Sequence, residues 1–227
     1  MPGLFSRVDV VFKAFSQLGP LQVTRAGLYR LGLKSGYWKW RTPTPKLVEN
    51  GEAIELQHFL TLPDPTLLER LTAGSRSDIL AEAEEIGSGN IRLFGGPPVP
   101  FDLTPKYTPL HWTYYETHRS SYGTDDPKLT WEPARFGWAI TLARAYAVTK
   151  NEAYAETFWR RTEDFIQANP PYLGPHWVSG QEVAMRIIAL AFSSTIFDHC
   201  PSSTPEKKSL LAISLAAHAE RIPPTLI

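Results

Sequence analysis

With 227 residues, 43% of them hydrophobic and 20% charged, the chain can bury a sizeable core and lacks the composition of a disordered protein. Its 23 Lys and Arg residues balance its 23 Asp and Glu residues, so no overall field attracts nucleic acid or an anionic membrane. Cys200 is the single cysteine, which excludes an intrachain disulfide and a cysteine-based metal cluster.

The charge is uneven along the chain, because residues 1–50 contain eight Lys or Arg residues against Asp9 and Glu49. The interleaved aromatic residues of this segment are also found in surfaces that bind nucleic acid or lipid headgroups. The stretch is short and carries no motif, so a basic outer face is favoured and no nucleic-acid partner is predicted. Without an apolar run of the required length, we expect no classical signal peptide and no membrane span, which favours a cytoplasmic location but leaves the compartment open.

The first half of the chain predicts short elements. A helix is expected over residues 5–18, where apolar residues recur at helical spacing until Gly19-Pro20. A short strand is expected within 47–62, then a helix capped by Asp64 or Thr66 and another capped by Ser77 that runs to Ile86. Residues 87–109 are rich in Gly and Pro, which predicts a long connection.

The second half predicts four consecutive helices. The first begins at Pro133, and the second is capped by Asn151 and ends at Asn169-Pro170-Pro171. The third, from about Ser179 to Phe197, is apolar nearly all round, which predicts a central buried helix. The fourth begins at Thr204-Pro205-Glu206 and ends at Pro223-Pro224.

Alternation of amphipathic and apolar helices is typical of stacked helical hairpins. We therefore predict a mainly α fold, an incomplete α/α toroid built of helical hairpins. Residues 1–90 form a helical region with a basic start, 91–130 a connection rich in Gly, Pro and aromatic residues, and 131–227 the first helices of the toroid.

Two helix starts carry candidate ligand-binding residues. Ser179, Glu182 and Arg186 lie on one stripe of an otherwise apolar helix, and Trp177 stands just before it. One interpretation is a carbohydrate groove, because sugar rings stack on indoles and a helix N-terminus favours anions. The alternative is a Ser cap followed by a Glu182/Arg186 pair that ties helices together. Trp131, Glu132 and Arg135 repeat the pattern, and Arg suits a sugar carboxylate or sulfate.

The order and gaps of a longer set of residues resemble the N-terminal helical domain of heparinase II/III-like and related alginate lyases. Phe94-Gly95-Gly96, Trp112 and Leu18-Gly19-Pro20-Leu21-Gln22 with Arg25 add a looser similarity. The set that carries the resemblance is Asp126-Pro127-Lys128, Trp131-Glu132, Arg135, Arg144-Ala145-Tyr146, Tyr154-Ala155, Asn169-Pro170-Pro171, Gly174, Trp177-Val178-Ser179, Glu182 and Arg186.

The resemblance implies a toroid that a β-sandwich domain follows in full-length members, and cleavage of uronic-acid polysaccharides by β-elimination. An acidic polysaccharide is the implied partner, and no cofactor or metal is expected. The Asn-His stretch and catalytic Tyr of the family are expected after the helix that ends near Pro223, and nothing in this chain matches them. We therefore assign no catalytic residue and expect the chain alone to be inactive. The predicted substrate-binding residues are Trp131, Glu132, Arg135, Trp177, Ser179, Glu182 and Arg186.

Two other functions fit the same residues. A glycoside hydrolase would need two carboxylates, for which Glu132 and Glu182 are the candidates. A non-catalytic carbohydrate-binding or scaffold module would retain the toroid without the chemistry. The histidines show no metal-ligand spacing, although His111 and His118 lie close in sequence, and a plain surface or packing role is expected for His218.

Overall fold

The computed structural model of the chain describes residues 4–44, 55–57, 60–62, 64–105, 108–118 and 126–226. This part of the chain is mostly helical, which confirms the mainly α prediction. None of the described helices is both long and apolar enough to cross a bilayer. The elements are α1 (Leu4–Lys34), α2 (Tyr37–Arg41), α3 (Pro65–Thr72), α4 (Arg76–Gly87), β1 (Asn90–Arg92), β2 (Pro98–Pro100), α5 (Trp112–Thr117), α6 (Pro127–Trp131), α7 (Gly137–Thr149), α8 (Glu152–Ala168), α9 (Gly180–Phe197) and α10 (Pro205–Arg221).

Side-chain caps start four of the predicted helices. Asp64 accepts a hydrogen bond from the Thr66 amide at 2.8 Å, and Asn151 accepts one from the Ala153 amide at 3.2 Å. Ser179 and Thr204 cap α9 and α10 in the same way. Because each cap satisfies an amide that has no partner inside the helix, these starts could be read from local sequence.

Three predicted boundaries were wrong. The helix at the start of the chain resumes at Pro20 and continues to Lys34, although Gly19, with φ of 81°, breaks it as expected. Ser77 lies inside α4, which begins at Arg76. Pro133 starts only a single 3₁₀ turn, because Phe136 adopts a left-handed φ of 62° that ends the turn before α7 begins.

The Gly/Pro-rich connection contains a small antiparallel hairpin that was not predicted. In it, Ile91 of β1 stands opposite Val99 of β2. Strands of three residues are too short to show an alternating pattern, so the sequence gives no signal for them. The strand expected within 47–62 falls largely outside the described residues, and the described ranges 55–57 and 60–62 contain neither helix nor strand.

The larger core surrounds α7, which packs against α4, α8 and α9. Phe136, Leu142, Phe158 and Phe197 are fully buried at its centre. Ile79, Ile91 and Leu211 join the same core, so each of the three predicted chain segments contributes to it. The prediction for α9 was only partly correct, because Met185 and Ile188 are 39% and 66% exposed on its outer side.

A second, aromatic core joins α1, α5, α9 and α10. Tyr29 stacks on Trp112 with ring centroids 6.5 Å apart, and Trp177 packs edge-on against Tyr172 at 5.5 Å. The Trp112 indole N–H donates to the Thr42 hydroxyl at 2.9 Å. This core fixes the start of α9 relative to α1, and the candidate groove lies at that junction.

Candidate substrate groove

The helix α6 and the turn after it present Trp131, Glu132 and Arg135 toward the start of α9. The side chain of Asp126 caps α6 by accepting from the Lys128 amide at 2.9 Å. Trp131 is half-buried, and its indole N–H donates to the Pro175 carbonyl at 3.0 Å. This hydrogen bond holds the indole in one orientation and leaves part of its surface open.

Arg135 joins the two predicted clusters through ion pairs. Its Nε and Nη2 donate to the two carboxylate oxygens of Glu182 at 2.5 and 2.8 Å, a bidentate arrangement. Its Nη1 donates to Glu132. The hydrogen bond with Glu182 is the main cause that raises the pKa of Arg135. Since two carboxylates already occupy the guanidinium, Arg135 is not free to hold a sugar carboxylate, contrary to the sequence-based interpretation.

The predicted pair of Glu182 with Arg186 is absent, because Arg186 points into the core. Its Nε donates to the Ala134 carbonyl at 2.5 Å, and its Nη2 donates to the His176 carbonyl at 3.2 Å. Arg186 is fully buried, and burial lowers its pKa to about 9. It ties α9 to the turns that contain Ala134 and His176, and its side chain is not exposed to solvent.

His218 completes the surroundings of Arg186. Arg186 can only donate, so the His218 Nε2 atom accepts from Nη1 at 3.1 Å, and Nδ1–H donates to the Ser214 carbonyl at 2.6 Å. Burial, together with the nearby Arg186 charge, lowers the pKa of His218 to about 3. The ring is therefore neutral at physiological pH, and of the two expected roles, surface or packing, its full burial fits packing.

Trp177 is buried and cannot stack on a sugar. Only 1% of it is exposed, and its ring lies 4.4 Å from the His218 ring. A buried arginine that sequence reasoning missed, Arg221, donates to the Trp177 and Val178 carbonyls at 2.7 and 2.6 Å. The guanidinium of Arg221 also lies 3.7 Å from the centre of the Trp112 ring. Trp177 and Arg186 thus support the start of α9, and the predicted direct contacts of both with substrate are corrected.

A groove of about 440 Å³ opens at the N-terminus of α9. Of the predicted residues, Trp131 and Ser179 line it, whereas Glu132 lies on a separate cavity of about 240 Å³ beside Glu82 and Glu85. The groove is lined by Tyr29, Glu116, Asp126, Pro127, Lys128, Trp131, Val178, Ser179, Gly180, Gln181 and Thr225. Because Glu132 and Glu182 share Arg135 and do not line this groove, they do not form the flanking pair that a hydrolase requires.

Two groove features gave no signal in the sequence. The Tyr29 hydroxyl donates to Glu116 at 2.5 Å, and burial raises the pKa of Tyr29. Gly180 lies so close to Thr225 that an added Cβ would stand 1.8 Å from the threonine hydroxyl oxygen. Both contacts join residues far apart in the chain, so no short motif contains them.

His111 and His118, which lie close in sequence, have separate partners in the structure. The His111 Nδ1 atom lies 2.9 Å from the Thr113 hydroxyl and Nε2 lies 2.8 Å from the Thr42 carbonyl, while the His118 ring stacks on Tyr114. Within the described residues, no group of three or more His, Cys, Asp or Glu side chains is placed to hold a metal ion.

A sequence model described as the Heparinase II/III N-terminus matches residues 99–224, more than half of the chain. The chain belongs to the heparinase II/III family. No curated protein and no solved structure matches it. As a heparinase II/III family member, it is a module related to polysaccharide lyases. The family match includes α6, α9 and most of the groove lining, whereas Tyr29 lies before it.

Proposed function

We propose that this heparinase II/III family chain is the N-terminal part of a polysaccharide lyase that cleaves uronic-acid-containing polysaccharide by β-elimination. Its helices would form the first hairpins of an α/α toroid, and its contribution would be part of the substrate groove. The observation that carries the proposal is the groove at the start of α9, with Trp131 on its wall, inside the region that matches the family.

The groove has the size and surface for part of a sugar chain. A volume of about 440 Å³ lies within the range of small-molecule sites. Trp131 presents an indole held by the Pro175 carbonyl, and the apolar C–H face of a sugar ring stacks on such a surface. Glu116, Ser179 and Gln181 add polar atoms that suit sugar hydroxyls.

The charged residues that line the groove change where a sugar carboxylate is expected to bind. Glu116 and Asp126 bring two carboxylates, and Lys128 brings one amine. A uronate carboxylate therefore fits best near Lys128 and the first backbone N–H groups of α9, which carry the partial positive charge of the helix end. Arg135 and Arg186 act indirectly, by holding Glu182 and the start of α9 in place.

In β-elimination a base removes the proton at C5 of the uronate, and the electron pair of that C–H bond forms a C4–C5 double bond as the C4–O bond breaks. Neutralisation of the carboxylate makes the C5 proton acidic enough to be removed. No residue of this chain is assigned as that base. The chain's own role is to bind and orient the sugar.

Replacement of Trp131 with Ala tests the groove. If stacking on the indole contributes about 1 kcal/mol of binding free energy, its loss should weaken the binding of alginate or heparan oligosaccharides roughly fivefold. The measurement is isothermal titration calorimetry. Trp40→Ala is the matched control, because Trp40 is 74% exposed on α2 and does not line the groove. Equal affinity of Trp131→Ala and the wild type would contradict the groove assignment.

A product assay separates the lyase from a non-catalytic module. The full-length protein is incubated with alginate, heparan and other uronates, and the near-ultraviolet absorbance of unsaturated uronate ends is followed. Appearance of that absorbance supports the lyase. Binding that depends on Trp131 without any such product would instead support a carbohydrate-binding or scaffold module.

A further inference from the structure

The helix α1 has apolar residues on two sides, and only one of them packs against the protein. Tyr29 lies on the inner side, 8% exposed, in contact with Trp112 and Glu116. Leu21, Leu28 and Leu31 follow at spacings of seven and three residues, which places them together on one side of the helix that does not include Tyr29. These three leucines are 59%, 61% and 62% exposed, and we refer to them as the outer leucine stripe.

Basic side chains border the outer leucine stripe. Arg25 lies along one edge, and Arg30 and Lys34 lie along the other, all of them exposed. Within the described ranges, none of the three forms an ion pair with a carboxylate. Residues 4–44 contain seven Lys or Arg residues and a single acid, Asp9, although the whole chain is neutral. The positive charge is therefore concentrated in the segment that contains the stripe.

The next helix extends this surface with aromatic residues. On α2, Trp40 is 74% exposed and Tyr37 is 47% exposed, and their ring centroids lie 6.0 Å apart. Trp and Tyr are enriched at the boundary between headgroups and acyl chains, because their rings have an apolar body and a polar edge. A leucine stripe with basic edges and aromatic neighbours is the pattern of a helix that lies in the plane of a membrane interface.

We propose that the outer side of α1, with Trp40 and Tyr37, docks on an anionic lipid bilayer. The leucines would enter the headgroup boundary while the basic edges contact anionic headgroups. A second copy of the chain fits less well, since a two-fold contact through this side would bring the basic edges of both copies together. A soluble polyanion fits the charges but leaves the leucines in water.

Sedimentation with vesicles tests the proposal on the purified protein. The probes are vesicles of phosphatidylcholine alone and of phosphatidylcholine with phosphatidylglycerol. We expect the protein to sediment with the anionic vesicles only, and brominated acyl chains should quench part of the Trp fluorescence, since Trp40 would lie near them. The variant Arg25→Gln/Arg30→Gln/Lys34→Gln should lower the partition coefficient about tenfold or more, because each basic residue near an anionic surface contributes measurably.

Leucine replacements distinguish insertion from simple charge attraction. Leu28→Glu/Leu31→Glu should abolish sedimentation, whereas the matched control Leu67→Glu/Leu71→Glu, made at exposed positions of α3, should bind as the wild type does. Circular dichroism and the melting temperature confirm that both variants remain folded. Three results would overturn the proposal: no sedimentation of the wild type, equal loss in both variants, or a wild-type dimer that Leu28→Glu/Leu31→Glu converts to a monomer.

Discussion

Replacement of Arg186 with Ala is expected to destabilise the fold rather than only to weaken sugar binding. The substitution removes three hydrogen bonds and leaves the Ala134 carbonyl, the His176 carbonyl and the His218 Nε2 atom buried without a donor. It also removes the guanidinium that lies 4.8 Å from the centre of the Phe165 ring. Among the described residues, no other side chain of α9 donates a hydrogen bond to these three acceptors.

The magnitude follows from the buried acceptors. Each one left unpaired costs about 1–3 kcal/mol, and partial relaxation brings the combined loss to about 4 kcal/mol. For a chain of this size that loss corresponds to a fall of about 8–16 °C in melting temperature. Arg186→Met fills more of the vacated volume, so we expect it to fall between Arg186→Ala and the wild type.

Thermal and urea denaturation followed by circular dichroism measure the loss. Arg160→Ala is the control, because Arg160 is exposed on α8 and its truncation should change stability by less than about 0.5 kcal/mol. If Arg186→Ala melts within about 2 °C of Arg160→Ala, the assigned role of Arg186 in the core is wrong. Weaker binding of oligosaccharide with unchanged melting would restore the direct contact that the sequence suggested.

Three further outcomes are expected. The pKa values of His176 and His218 are lowered to about 3 in the folded protein, so the unfolded chain binds more protons between pH 6.5 and 3. Stability should therefore fall as pH drops through that window, by up to about 1.4 kcal/mol per pH unit for each histidine. Urea denaturation at pH 7 and pH 5 checks this, and an unchanged midpoint would contradict it. Gly180→Ala should destabilise the protein through the clash with Thr225, and a Thr225→Gly replacement in the same chain should recover most of the loss, whereas additive losses would exclude the contact. Glu182→Gln should cost more stability than Glu132→Gln, because 6% of the Glu182 side chain is exposed against 26% of the Glu132 side chain; equal costs in urea denaturation would refute the ranking.

Helix starts and stops were predicted well in the second half of the chain. Asn151, Ser179 and Thr204 cap the helices assigned to them, and Pro170 and Pro223 follow helix ends. These features depend on hydrogen bonds that span two or three residues and on the missing amide of proline. The errors at Ser77 and Pro133 have the same local character. Both residue types suit a helix start, but the backbone is already helical at Arg76, before Ser77, and Phe136 adopts a left-handed φ after Pro133.

The structure brings the predicted residues together near the start of α9, but several of them have partners that the spacing did not indicate. Spacing placed Glu182 and Arg186 one turn apart on α9, yet Glu182 pairs with Arg135, 47 residues earlier, and Arg186 donates to Ala134, 52 residues earlier. A helix of 18 residues places side chains on stripes but does not say which neighbouring element each stripe faces. The same limit applies to Trp177, whose burial depends on Arg221 and His218 of α10.

Residue types and short spacings were therefore enough for the helical class, the caps and the family resemblance, because each of these depends on neighbours within one or two helical turns. Packing assigned Trp131 to the groove and Trp177 to the interior, although both indoles precede polar residues at helix starts. The reason is physical: burial and ion pairing depend on which helices approach one another. The approach of α1, α5, α9 and α10 is set by contacts between residues up to 87 positions apart, such as that of Tyr29 with Glu116.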